Sequence, residues 1–150
     1  MYNFLMKKIP IVLCSDNNNA KYLSVALHSI LANHTSKTKY DIFLFISNDF
    51  SKSNKKKIIN DFVRYENYEI NFVHVTNNLK NLKNTHQHVT SATLFRLWIA
   101  DVINRKYDKC IYLDTDIIVN IDLNELFSIN IKNNIVAGVS DLGWAVDKYE

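Results

Sequence analysis

Asp114-Thr115-Asp116 carries two carboxylates separated by a single residue. In an extended segment residues i and i+2 project to the same side, so both acids would face one point. Their hard oxygens suit Mg²⁺ or Mn²⁺, ions that share coordination with phosphate oxygens. The spacing alone is common by chance, and a polar turn at a strand end is its plainer explanation. The surroundings favour a cation, because the runs before it (Cys110-Ile111-Tyr112-Leu113) and after it (Ile117-Ile118-Val119) are apolar. Acids wedged between buried segments are costly to desolvate without a partner. Two more apolar runs end in carboxylates, at Asp16-Asn17-Asn18-Asn19 and at Asp141. Neither the glycine-rich dinucleotide fingerprint nor a P-loop occurs, so any phosphate must be held by other means.

These acids need a frame, and short β-branched or aromatic runs at 9–15, 41–47, 68–75, 109–113 and 135–140 predict strands. Leu23, Ala26, Leu27, Ile30 and Leu31 fall at helical spacing, which predicts a helix over about 20–33. A second helix is expected from an N-cap at Ser53, with Lys55, Lys56 and Lys57 toward solvent and Ile58, Ile59, Phe62 and Val63 toward the core. The polar stretch 76–87 predicts a long loop leading into a third helix over 91–103. Strands alternating with helices imply right-handed crossovers: an α/β, Rossmann-like, mostly parallel sheet with helices on both faces. In such sheets ligands bind beyond the carboxyl ends of the strands, where Asp16, Asp114, Asp116 and Asp141 lie.

The chain has 150 residues, 47% hydrophobic and 22% charged, which fits one domain. Lys+Arg exceeds Asp+Glu by only 18 to 15, and the lysines are scattered, so no nucleic-acid partner is expected. Cys14 and Cys110 lie in apolar runs, as free thiols do in a reduced compartment, which suggests a cytoplasmic chain. The apolar run 9–14 stops at Asp16, far short of the roughly 20 residues a membrane span requires. No signal peptide or transmembrane helix is expected.

The run Tyr-Leu-Asp-Thr-Asp-Ile-Ile-Val at 112–119 resembles the YLDxDxxV signature of glycosyltransferase family 8. Further segments follow the family's order: 11–16 with the asparagines after it, YLSVALHSI at 22–30, HVTSATLFRL at 88–97, DLNELF at 122–127 and AGVSD at 137–141. The resemblance implies a GT-A fold of which this chain is the nucleotide-sugar-binding half, and a metal-dependent, retaining transfer of a hexose from a UDP-sugar. The donor would be UDP-galactose or UDP-glucose, the cofactor Mn²⁺ or Mg²⁺, and the acceptor a glycan such as lipopolysaccharide core. Peripheral association with the inner face of the membrane would accompany such an acceptor.

Carried over by position, Asp114 and Asp116 would ligate the metal, with Thr115 between them at the nucleotide-sugar. Asp16 and Asn18 would hydrogen-bond the uracil or ribose. Arg96 would meet the donor sugar region, its alternative being an arginine snorkelling from an apolar helix. His88 matches a histidine before that helix, although for His88 and His86 ordinary loop residues are an equal explanation. Asp141 would lie near the donor and acceptor hydroxyls, with a catalytic role shared with Arg96. His28, His34 and His74 are expected to be structural or at the surface.

The pattern departs in two places. Asn19 stands where the family usually has a tyrosine packed on the nucleotide. Family members also continue past the fifth strand, where they supply a histidine as third metal ligand and the acceptor-binding residues. A UDP-sugar-binding unit without catalysis is therefore the alternative reading. A receiver-like signalling domain is a third, but it calls for a lysine after the fifth strand where this chain has Asp141-Leu142.

Overall fold

The computed structural model describes residues 6–35, 37–75 and 91–139. The elements run β1 (Lys7–Ser15), α1 (Ala20–Ala32), β2 (Thr38–Ile46), α2 (Lys52–Asp61), β3 (Tyr68–His74), α3 (Ser91–Leu94), a 3-10 turn (Phe95–Trp98), α4 (Ile99–Ile103), β4 (Ile111–Leu113) and α5 (Leu123–Ser128). The strands form one sheet in the order β3-β2-β1-β4, and every pairing is parallel. This is the α/β architecture that the alternation of apolar runs implied.

Strand alternation sorts the core onto two faces. Ile9, Ile11 and Leu13 of β1 and Tyr40, Ile42, Leu44 and Ile46 of β2 pack against α1, Ile58 and Phe62 at α2, and Leu123 of α5. Val12, Phe43 and Phe45 point the other way and meet Ala92, Phe95 and Ile103 of the 91–103 segment. Helical layers thus cover both sheet faces.

Several boundaries differ from the sequence expectation. Strand β2 starts at Thr38 rather than residue 41, because Thr38, Tyr40 and Asp41 are all buried. The Asp41 carboxylate is fully enclosed and satisfied: Lys106 Nζ donates at 2.7 Å, Tyr107 Oη at 2.5 Å and Asn71 Nδ2 at 2.7 Å. Ser51, not Ser53, caps α2, its hydroxyl accepting from the Asn54 N–H at 3.1 Å. The capping oxygen must precede the first turn, and Ser53 already lies inside it. Ile58 and Phe62 reach the core, but Ile59 and Val63 are exposed, since a ten-residue helix lying on a sheet presents only a narrow stripe to it.

The helix expected over 91–103 is instead three short pieces, with the 3-10 turn in its middle. The expected fifth strand is absent from the described residues: 135–139 carries no ladder, and Ile135 (97% exposed), Val136 (80%) and Val139 (99%) face solvent. β-branched composition favours a strand, but only pairing makes one, and the segment pairs with no strand among the described residues.

Loop 114–122 and α5 are fastened to the opposite end of the sheet through Asp122. Its carboxylate accepts from Tyr40 Oη at 2.8 Å, Thr35 N at 3.0 Å, Thr35 Oγ1 at 2.5 Å and Asn124 N at 2.8 Å. Tyr40 Oη in turn accepts from Leu123 N at 2.9 Å. These bonds hold the Asp122 carboxyl at about 2, overcoming the upward push of its partial burial. The His34 ring packs tilted against Tyr40 with centroids 4.0 Å apart, and His28 lies 4.5 Å from the Phe62 ring, both in structural positions. His74 is exposed, where Lys55 Nζ lies 2.7 Å from its Nε2.

Candidate active site

Beyond the carboxyl ends of β1 and β4 opens a cavity of about 610 Å³ lined by residues from three parts of the chain. The end of β1 and start of α1 supply Cys14, Asn19 and Tyr22. The α3 region supplies Ala92, Thr93 and Arg96, and the end of β4 supplies Tyr112, Asp114, Thr115 and Asp116. The parallel register sets this convergence, because Val12 pairs with Tyr112 and Leu13 with Leu113, so both chains leave the sheet side by side.

Asp114 and Asp116 do not sit as the sequence suggested. Residues 115–116 form a turn rather than a strand extension, and both acids are exposed. Of the following run, Val119 is buried but Ile118 is 68% exposed. The desolvation argument for a cation therefore does not hold; the shared cavity replaces it. Around Asp114, Tyr112 Oη donates to Oδ1 at 2.5 Å and Arg96 Nη2 stands 3.5 Å from the same oxygen. Arg96 Nε donates to the Thr93 carbonyl at 2.8 Å, and its guanidinium lies 5.0 Å from the centre of the Tyr112 ring. Arg96 is thus exposed at the cavity rather than snorkelling from a core. Burial pushes the Tyr112 hydroxyl upward, and the bond to Asp114 adds to it. Burial also pushes the Cys14 thiol up to about 12, Arg96 offsetting only part of that.

From the first strand end, it is Asn19 rather than Asp16 or Asn18 that lines the cavity. Asp16 Oδ1 accepts from Asn19 N at 2.9 Å and Asn19 Nδ2 at 3.0 Å, so Asp16 orients the side chain that does line it. Asn18 is exposed on the same turn. Asn17 ties this turn to α2, accepting from Ser51 N at 3.0 Å and Asn54 Nδ2 at 2.9 Å. His86, His88 and Asp141 lie outside the described residues.

Sequence reasoning missed Cys14, Asn19, Tyr22, Ala92, Thr93 and Tyr112 as lining residues. Two had a legible signal: Tyr112 stands at i−2 from Asp114 on one strand face, and Thr93 at i−3 from Arg96 on one helical face. Tyr22 is 48% exposed, an aromatic at the cavity margin near the position that Asn19 leaves without a ring.

The donor set can be tested against a divalent cation. Among the described residues no group of three or more His, Cys, Asp or Glu could enclose a metal ion. Two carboxylates and the Thr115 hydroxyl, all hard oxygens open to a large cavity, fit an ion that keeps several waters and takes its other ligands from a bound phosphate.

A family model described as Glycosyl transferase family 8 matches residues 10–149. The chain is 28% identical over 134 residues to general stress protein A of Bacillus subtilis, covering 89% of this chain and 46% of that protein. It is 29% identical over 132 residues to glycosyltransferase GlyF of Streptococcus pneumoniae, covering 88% and 31%. Its fold superposes with a TM-score of 0.73 and 26% identity on galactosyltransferase LgtC in complex with donor and acceptor sugar analogs, covering 84% of this chain and 44% of that one. The chain spans less than half the length of each of these proteins. With nearly its whole length matched by the family model, and with acids, arginine and strand ends meeting at one cavity, the chain belongs to glycosyl transferase family 8.

Proposed function

We propose that this chain binds the donor in a metal-dependent, retaining transfer of a hexose from UDP-galactose or UDP-glucose to a glycan. The observation that carries the reading is the meeting of Asp114, Thr115 and Asp116 with Arg96 and Asn19 around one cavity in a family 8 chain. Asp114 and Asp116 would hold Mn²⁺ or Mg²⁺, which when bound neutralises the diphosphate leaving group. Arg96, held by Thr93 and the Tyr112 ring, presents a fixed cation toward the donor. Asn19 and Tyr22 offer hydrogen bonding and a ring face at the β1 side, where the nucleoside would lie. Asp16, through Asn19, and Asn18 belong to the same side. His88 and Asp141 keep their proposed places near the donor and acceptor.

Calorimetry with UDP tests this directly. UDP should bind in the presence of Mn²⁺ and lose most of its affinity in EDTA, and Asp114→Asn or Asp116→Asn should remove the metal dependence. Equal binding with and without metal would defeat the assignment. Release of UDP from UDP-galactose or UDP-glucose then separates a transferase from a unit that binds without turnover. Lipopolysaccharide core as acceptor, and attachment to the membrane face, belong to the same proposal. Among the described residues no helix is long and apolar enough to cross a membrane. Family membership displaces the receiver-like alternative.

A further inference from the structure

The described partners of Asp114 converge on a single oxygen. Tyr112 Oη donates to Oδ1 at 2.5 Å, while Arg96 Nη2 stays 3.5 Å from that atom, too far for a well-formed hydrogen bond. Arg96 supplies charge without direction, since its Nε is committed to the Thr93 carbonyl at 2.8 Å. The Tyr112 hydroxyl is the directional contact. It is also carried on a paired strand, with Tyr112 opposite Val12, rather than on a loop. Asp114 itself lies beyond the last rung of that ladder with its side chain 55% exposed, so nothing in its own backbone setting fixes the carboxylate's rotation.

We propose that Tyr112 is the positioning residue of the Asp114 carboxylate: its hydroxyl holds Oδ1 and leaves Oδ2 for the cation. This rests on the cation reading above and deepens it. Without the hydroxyl, the exposed carboxylate keeps only the loose Arg96 pair and must be ordered when the ion binds, which lowers affinity although both ligands remain. Losing a hydrogen-bond partner behind a metal ligand typically costs about 10–100-fold in metal affinity. Arg96 keeps its stack on the ring whether or not the hydroxyl is present, so the two contributions separate cleanly in a Tyr112→Phe variant.

Mn²⁺ binding in the presence of UDP, followed by the electron paramagnetic resonance signal of free Mn²⁺, supplies the test. Tyr112→Phe should weaken Mn²⁺ by about 10-fold, and Asp114→Asn should weaken it further. If Tyr112→Phe binds Mn²⁺ like the wild type while Asp114→Asn does not, the positioning role is overturned and the cation reading stands. If neither change alters Mn²⁺ binding, the cation reading falls and takes this proposal with it. A second measurement does not depend on the Phe variant folding. With 3-fluorotyrosine at position 112, the ¹⁹F resonance should shift when Mg²⁺ and UDP are added. A resonance that stays fixed while Mg²⁺ binds would overturn the proposal.

Discussion

Replacing Lys106 with methionine tests what holds the segment that feeds β4. The Asp41 side chain is 0% exposed and that of Lys106 50%, so their 2.7 Å ion pair is neither a surface nor a buried one. Exposed pairs contribute about 0–1 kcal/mol, whereas stripping one partner from a fully buried pair costs about 3–5 kcal/mol. In the variant Tyr107 and Asn71 still donate to the carboxylate, so the loss should lie between these limits, near 2 kcal/mol. For a domain of this size that lowers Tm by about 4–8 °C. Methionine keeps a stem of similar length and removes the charge, and with it the ammonium's place 6.0 Å from the centre of the Phe43 ring.

Acidity supplies the sign. Burial alone would raise the Asp41 pKa, but Lys106, Tyr107 and Asn71 outweigh it and hold it below the usual carboxylate value. A lowered folded pKa gives stability that is full above the unfolded value and is lost as pH falls through the folded one. The gap between wild type and Lys106→Met should therefore be widest near neutrality and narrow as pH drops below about 4. Circular-dichroism melts across that range measure it. A gap of the same width at both ends, or no gap at neutrality, would refute the ion-pair account.

Removing the cap in Ser51→Ala should cost about 1 kcal/mol, read by urea unfolding, whereas Ser53→Ala should cost little. Asp122→Ala strips four hydrogen bonds from the start of α5 and should destabilise by about 2–3 kcal/mol at neutral pH. Because Asp122 is held at about 2, its contribution is present above about pH 4 and disappears as pH falls toward that value. Cys14 and Cys110 are half-buried free thiols whose pKa values burial raises, so a bulky thiol reagent should label both slowly in the native protein and quickly in urea. Rapid native labelling of Cys14 would show that the cavity leaves its sulfur accessible and would overturn this expectation.

The sheet was legible because parallel, doubly covered strands are nearly continuous apolar runs, and β1 and β3 lie close to their expected bounds. The expected second strand already included Asp41, but the first residues of β2, 38–40, were missed because Lys39 looks like a surface residue. That the Asp41 carboxylate is buried was not legible either, because Lys106, Tyr107 and Asn71, which make it tolerable, are brought in by tertiary structure. The Asp114 to Asp116 pair was visible as a motif, but its exposed turn geometry was not, since apolar neighbours in sequence do not fix which side chains a turn turns outward. The 135–139 run shows the same limit: local composition specifies a strand and leaves its partner unspecified.

Among the described residues the site strand is also the least laced part of the sheet. β1 and β2 run side by side from Lys7 to Ser15 against Thr38 to Ile46, while β4 joins β1 only through Ile111, Tyr112 and Leu113. Amide protons there should exchange with solvent through a local opening well before those of β1 and β2, which open only with the whole domain. A ligand bound at Asp114 and Asp116 as proposed would suppress that opening by mass action, stabilising the closed strand roughly in proportion to the logarithm of its concentration over Kd. The deuterium uptake of residues 111–113 would therefore serve as an occupancy gauge for the proposed donor, one that needs no turnover.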